Sequence, residues 1–141
     1  ECVRAAGDNK IPAGWEILSR NKQEMGMKSE HLEQAEFVMW MRQTHKEARI
    51  FAIPNGGQRS RTTGAKLKAE GVSAGVPDLY IPFWRCWVEM KREKGGKLSP
   101  VQKDWIKYLE SCGDTVIIGY GCEDAKNKIT SLCDVGVYTW G

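Results

Sequence analysis

The sequence predicts an α/β domain in which a mixed central sheet is flanked by helices. Three observations lead there. The 141 residues can bury one hydrophobic core and are too few for two full-sized ones. Helical and strand-like segments follow one another as helix, strand, helix, hairpin, helix, strand, helix, an order that one layered sheet accommodates. Two strand-like runs, residues 78–83 and 86–91, are separated only by Trp84-Arg85, a spacing that reads as a hairpin.

The elements can be justified in order. Residues 1–28 carry Gly7, Pro12, Gly14 and Gly26 among charges and keep neither helical nor alternating periodicity, so they read as an N-terminal extension of unknown role, with the folded domain spanning 29–141. Ser29 offers a helix cap, Glu30 and Glu33 fall in the first turns, and Leu32, Ala35 and residues 37–41 form an apolar body that carries a helix to about Gln43. Residues 49–53 are short and apolar and run into Pro54-Asn55-Gly56-Gly57, which predicts a strand ending in a sharp turn. A short helix over 62–70 stops at Gly71, and a loop with Gly75 and Pro77 leads into the hairpin. Ser99-Pro100 begins a second long helix to about Cys112, with Gly113 just beyond its end. Residues 115–120 form a buried strand, 124–133 the last helix, and 137–140 an edge strand.

Composition removes several function classes. The net charge of +3 is too small to announce a nucleic-acid binder by its total. The longest apolar run, residues 37–41, falls far short of the roughly 20 residues of a membrane span. The chain is therefore expected to be soluble and cytoplasmic, with no membrane partner. Cys2, Cys86, Cys112, Cys122 and Cys133 are odd in number, contain no C-x-x-C and have no His at finger-like spacing, which reads as reduced thiols. The absence of GxxxxGK[ST], GxGxxG, HExxH and GxSxG withdraws support from nucleotide-cofactor, zincin and serine-hydrolase readings.

Chemistry concentrates in Gly75-Val76-Pro77-Asp78 and Val88-Glu89-Met90-Lys91. Side chains alternate along a strand, so Glu89 and Lys91 share one face with Trp87. In a hairpin, Asp78 at the start of the first strand lies near the end of the second. Two carboxylates and an ammonium then meet in one small volume, which suits a hard divalent cation with a Lys beside the attacking water. A cross-strand salt bridge on a solvated face fits the same spacing. Basic residues flank this cluster on both sides: Arg59, Arg61, Lys66 and Lys68 against Glu70, then Lys91, Arg92, Lys94 and Lys97 against Glu93. That pattern would draw a polyanion across a metal site, or simply solvate two surfaces. The Asn55-Gly56-Gly57 turn either admits phosphates to backbone amides or is a plain loop.

Asn55-Gly56-Gly57, Lys66 to Val72, Gly75-Val76-Pro77-Asp78-Leu79, Glu89-Met90-Lys91 and Ser99-Pro100-Val101-Gln102, in that order, resemble the VRR-NUC (virus-type replication-repair nuclease) domain over roughly residues 29–133. This family belongs to the PD-(D/E)XK nuclease superfamily, whose signature reads here as Pro77-Asp78 and Glu89-Met90-Lys91. The resemblance implies a PD-(D/E)XK-like fold and Mg²⁺- or Mn²⁺-dependent hydrolysis of DNA phosphodiester bonds. Asp78, Glu89 and the Met90 carbonyl would hold the metal, and Lys91 would act at the attacking water. It further implies a Glu from the first helix, with Glu30 favoured over Glu33 and Glu36 because Gln34 follows it one turn later. Gln102 would lie near the site, although Ser99-x-x-Gln102 also reads as a capping box. Asn55, Arg59, Arg61, Lys66, Lys68, Arg92 and Lys97 are the expected DNA contacts. Stand-alone members resemble junction-resolving enzymes, which implies a homodimer acting on branched DNA. A DNA-binding module without chemistry is the competing reading, opposed by the intact Asp78, Glu89 and Lys91. His31 and His45 read as surface or helix-end residues, and Trp84 and Trp87 as core or interface.

Overall fold

Ser29 starts the fold as the sequence predicts. In the computed structural model, which describes residues 11–17, 28–54 and 60–134, its side chain accepts a hydrogen bond from the Leu32 amide and caps helix α1 (Glu30–Thr44). There follow β1 (Phe51–Ala52), α2 (Arg61–Ala69), β2 (Leu79–Ile81), β3 (Cys86–Lys91), α3 (Pro100–Ser111), β4 (Thr115–Tyr120) and α4 (Cys122–Asp134). The strands lie in the order β1-β2-β3-β4, the first three antiparallel and β3 parallel to β4. Strands β2 and β3 form the hairpin, and the β3–β4 pair needs the longer connection that α3 supplies.

Each face of β3 has its own layer. Cys86, Val88 and Met90 join Phe37 and Met41 of α1 and Ala125 and Ile129 of α4 in the core. Burying these side chains is the main favourable term in folding, and truncating Phe37 to Ala should cost about 3–5 kcal/mol. The other face carries Trp87, Glu89 and Lys91 and meets α3, which packs on β4 and reaches Glu89 through Gln102. Gly119 keeps the first layer tight, since a Cβ there would lie 2.7 Å from the Ala125 Cβ.

Several predicted boundaries shift. The strand expected over 49–53 is shorter: Phe51 and Ala52 pair with Tyr80 and Leu79, and one further bond runs from the Ile53 amide to the Asp78 carbonyl. Residues 78–83 do not stay extended either. Pro82 lacks the amide that a central ladder needs and opens a 3₁₀ turn, Pro82–Trp84, after which Arg85 at φ 48° closes the hairpin. Helix α4 begins two residues earlier than predicted, at Cys122. The strand expected over 137–140, the Asn55-Gly56-Gly57 turn, Arg59 and Cys2 lie outside the described residues. Among the described residues, Cys86, Cys112, Cys122 and Cys133 form no disulfide.

Gly75 is where backbone geometry sets up the site. It sits at φ +89°, and a Cβ there would lie 2.5 Å from Val101 Cγ1 and 3.0 Å from the Val101 backbone. Only glycine lets the loop before Asp78 press against the first turn of α3. Gly75→Ala should therefore push that turn, with Gln102, away from Glu89. The expected result is a loss of roughly 1–3 kcal/mol in denaturant unfolding together with impaired cleavage. Wild-type stability and turnover in the variant would show that the contact positions nothing.

Candidate active site

The hairpin register places the two predicted carboxylates opposite each other. Leu79 faces Val88 and Tyr80 faces Trp87, so one step further along Asp78 comes level with Glu89. Asp78 Oδ2 accepts a hydrogen bond of 2.9 Å from the Met90 amide, which fixes its carboxylate against the end of β3. Glu89 is 2% exposed and Lys91 is 8% exposed, with Lys91 Nζ 3.6 Å from Glu89 Oε1. The solvated-face salt bridge is thereby excluded: the pair is buried. Gln102 resolves its own ambiguity by doing both things. Its Oε1 accepts from the Ser99 amide and completes the capping box, while Nε2 donates to Glu89 Oε1 at 2.7 Å.

Burial sets the electrostatics. The Glu89 carboxyl is pushed up to about 8, chiefly by desolvation and then by the charge of Asp78, with Lys91 pulling the other way. Asp78 is also raised, first by burial, and its hydrogen bond from Met90 only partly offsets this. Glu30 and His31, at the start of α1, both act on the charge of Asp78, so that helix end faces the site. Glu33 and Glu36 are committed elsewhere. Glu33 is 5% exposed and its Oε2 accepts from the Cys122 amide at the first turn of α4, whereas Glu36 pairs with Lys28 at 2.7 Å.

The donor set fits a hard divalent cation. Asp78 and Glu89 are each anchored through one carboxylate oxygen, which leaves the second for a ligand. The charge of Asp78 raises the pKa of Glu89, and the charge of Glu30 raises both, a repulsion that a bound cation would relieve. Among the described residues no three His, Cys, Asp or Glu side chains gather closely enough to share one ion. Two protein carboxylates completed by water and phosphate oxygens is the usual habit of Mg²⁺.

The expected DNA contacts are distributed unevenly. Arg61, Lys66 and Lys68 lie on α2, which buries no residue, and Arg92 and Lys97 are exposed on the loop after β3. Arg92 also lines a cleft of about 630 Å³ with Lys28, Lys94, Glu33 and Tyr120. His31 is exposed, while His45 packs edge-on against Trp40 and Trp84, its pKa lowered chiefly by burial. Trp84 belongs to the core and Trp87 stacks on Tyr80.

A sequence model of the VRR-NUC domain matches residues 19–121, well over half of the chain. The chain belongs to the VRR-NUC family. A solved structure named as a VRR_NUC domain protein is 25% identical, covers 76% of this chain and 89% of its own, and superposes with a TM-score of 0.64. No curated protein matches. The VRR-NUC span runs from before α1 to the turn after β4 and so contains every predicted site residue, whereas α4 lies beyond it. The mixed four-stranded sheet with flanking helices is the VRR-NUC nuclease-like fold, and membership gives the chain a nuclease-type function. No helix among the described residues is long and apolar enough to cross a membrane.

Sequence reasoning missed the work of Glu33 and of Gly75. Glu33 looked like any first-turn acid, and its amide partner is 89 residues away in sequence. Gly75 stood inside the recognised motif, but nothing local to it reveals the closeness of Val101.

Proposed function

We propose that this protein is a divalent-metal-dependent DNA endonuclease that uses Mg²⁺ or Mn²⁺ and acts as a homodimer on branched DNA. The observation that carries the reading is the meeting of half-buried Asp78 with the buried Glu89 and Lys91 at the open end of the hairpin. Asp78, Glu89 and the Met90 carbonyl would hold the ion. When bound, it would supply Lewis-acid activation and neutralise charge developing on the phosphate.

This chain's own residues do the rest. Gln102 and Lys91 hold Glu89 Oε1, so the free oxygen of that carboxylate keeps one orientation. Lys91 presents an ammonium beside the acids, where it can orient the attacking water or stabilise the pentavalent charge. Glu30 adds a carboxylate at the mouth of the site that can accept a proton from that water. Dimerisation follows from stoichiometry, because one Asp78/Glu89/Lys91 cluster serves one scissile phosphate and a four-way junction offers two related strands.

Nicking of supercoiled plasmid in Mg²⁺, Mn²⁺ or EDTA tests the chemistry, and a panel of duplex, single-stranded, flap and four-way-junction DNA tests the substrate. Metal-dependent cleavage that favours the branched substrates is expected. Binding without cleavage in either metal would leave a DNA-binding module.

Helix α2 should act as a clamp on the backbone. At nine residues with nothing buried, it is shorter than helices that persist alone in water, and its cations have no acid among them. Changing Arg61, Lys66 or Lys68 singly to Ala should weaken binding to all DNA sequences alike and flatten the slope of log affinity against log salt by about one unit. Unchanged slopes for all three would make α2 merely a solvated surface.

A further inference from the structure

One row of the sheet carries aromatic rings that the chemistry above does not use. Phe51 faces Tyr80 across β1–β2, and Tyr80 faces Trp87 across β2–β3. Their ring centroids are 5.8 Å apart at 79° for the first pair and 4.3 Å at 33° for the second. The row stands on the same face as Asp78 and Glu89, because Tyr80 is two residues from Asp78 and Trp87 two residues from Glu89. The aromatic row is thus the immediate neighbour of the carboxylate row, about 7 Å away along the strands.

The row is built firmly and left open at one end. Trp87 Nε1 donates to Asp114 Oδ2 at 3.0 Å, and Arg85 neutralises the same carboxylate at 2.9 Å. Tyr80 is locked between its two neighbours. Phe51, at the edge of the sheet, is 47% exposed. Arg49 is exposed as well, while Ala48 and Ile50 are buried, so the alternation puts Arg49 beside Phe51 on the outer side.

We infer that Phe51, backed by Tyr80 and Trp87, is a stacking platform for an unpaired nucleobase next to the cleavage point, and that Arg49 takes the adjoining phosphate. The inference rests on the nuclease reading and, among branched DNAs, favours those with an unpaired segment at the site, such as a flap, over a fully paired four-way junction. A planar ring with an exposed face recognises any base, and the neighbouring guanidinium supplies the charge that a nucleotide, unlike an apolar protein face, requires. In a duplex the bases are already stacked on one another, so the platform rewards only a strand that has left the helix.

The test compares three labelled DNAs, with binding measured in EDTA and cleavage in Mg²⁺: blunt duplex, the same duplex with a thymine flap, and the same duplex with an abasic flap. Phe51→Ala should weaken binding of the thymine flap about ten-fold, leave the duplex unchanged and have no effect on the abasic flap. Phe51→Trp should restore the wild-type preference, and Arg49→Ala should lower the salt slope for both flaps. Matched thermal unfolding of Phe51→Ala and wild type guards against misfolding. A protein that cuts duplex but treats thymine and abasic flaps alike, with Phe51 present or absent, overturns the inference alone. So does a dimer that Phe51→Ala converts to monomer in light scattering, which gives the face to a second copy of the chain. A protein that neither cuts nor binds any of the three overturns the nuclease reading and the inference with it.

Discussion

Replacing Asp78 or Glu89 with Ala is expected to lower plasmid cleavage in Mg²⁺ by on the order of a thousand-fold, while DNA binding holds or tightens. Each change removes a metal ligand and also an anionic charge that repels phosphate. The two variants should differ in stability. Asp78 carries a hydrogen bond from the Met90 amide, and losing it leaves that donor without its partner at the end of β3. Glu89 is a buried carboxyl with a raised pKa, so Glu89→Gln should fold at least as well as wild type and still not cut. Lys91→Ala supplies the contrast. Its turnover should fall by a comparable factor, but Mn²⁺ affinity measured by calorimetry should change little, since the ammonium acts on water or phosphate and not on the ion. Near wild-type turnover for Asp78→Ala or Glu89→Ala would remove both residues from the chemistry.

Stability without metal should fall as pH rises, and divalent cation should reverse that fall. The Glu89 carboxyl titrates near 4.5 in an unstructured chain and at about 8 in the folded protein, with burial the main cause. Between those values the native state keeps a proton that the unfolded chain has released. The corresponding stability is complete below about pH 4.5 and is lost as pH climbs through about 8. Asp78 shifts in the same direction and adds to the effect. Taking wild type relative to Glu89→Gln isolates Glu89 from Asp78, which both proteins keep, and from His45 and Asp124, whose lowered pKa values work in the opposite sense. The difference in melting temperature between the two should change by roughly 10 °C from pH 5 to pH 9, to the disadvantage of wild type. Saturating Mn²⁺ should shrink that change, because the cation takes the place of the proton, and calorimetry should detect proton release on binding at pH 6.5 but little at pH 9. A wild-type advantage that grew with pH in the absence of metal would contradict a buried Glu89 that holds its proton in the native state.

Much of the site was written locally. Alternation alone put Glu89 and Lys91 on one face and the spacing of the two runs announced a hairpin, but its turn spans Pro82 to Arg85 and not Trp84-Arg85 alone, and it is that longer turn that brings Asp78 level with Glu89. The Ser99-x-x-Gln102 capping box was equally plain, since a cap needs only residues three apart. These features depend on strand period and turn length, which sequence encodes directly. Other features depend on surfaces that meet only after folding. Whether Gln102 caps a helix or holds a carboxylate could not be decided until α3 was laid over β3, where it does both. Glu30, Glu33 and Glu36 are alike as first-helix acids, and only the packing of α1 against α4 sends Glu33 to the Cys122 amide and leaves Glu30 facing Asp78. The shortness of β1 was equally hidden, because an apolar segment can extend only as far as its partner offers amides to pair with. Sequence by itself determined the helix–strand order, the hairpin and the Asp78/Glu89/Lys91 cluster, all of which follow from short-range periodicity. Tertiary structure decided the burial that raises Glu89, the contact at Gly75 and the row from Phe51 to Trp87. Desolvation and cross-strand neighbours arise between segments distant in sequence, and no local pattern records them.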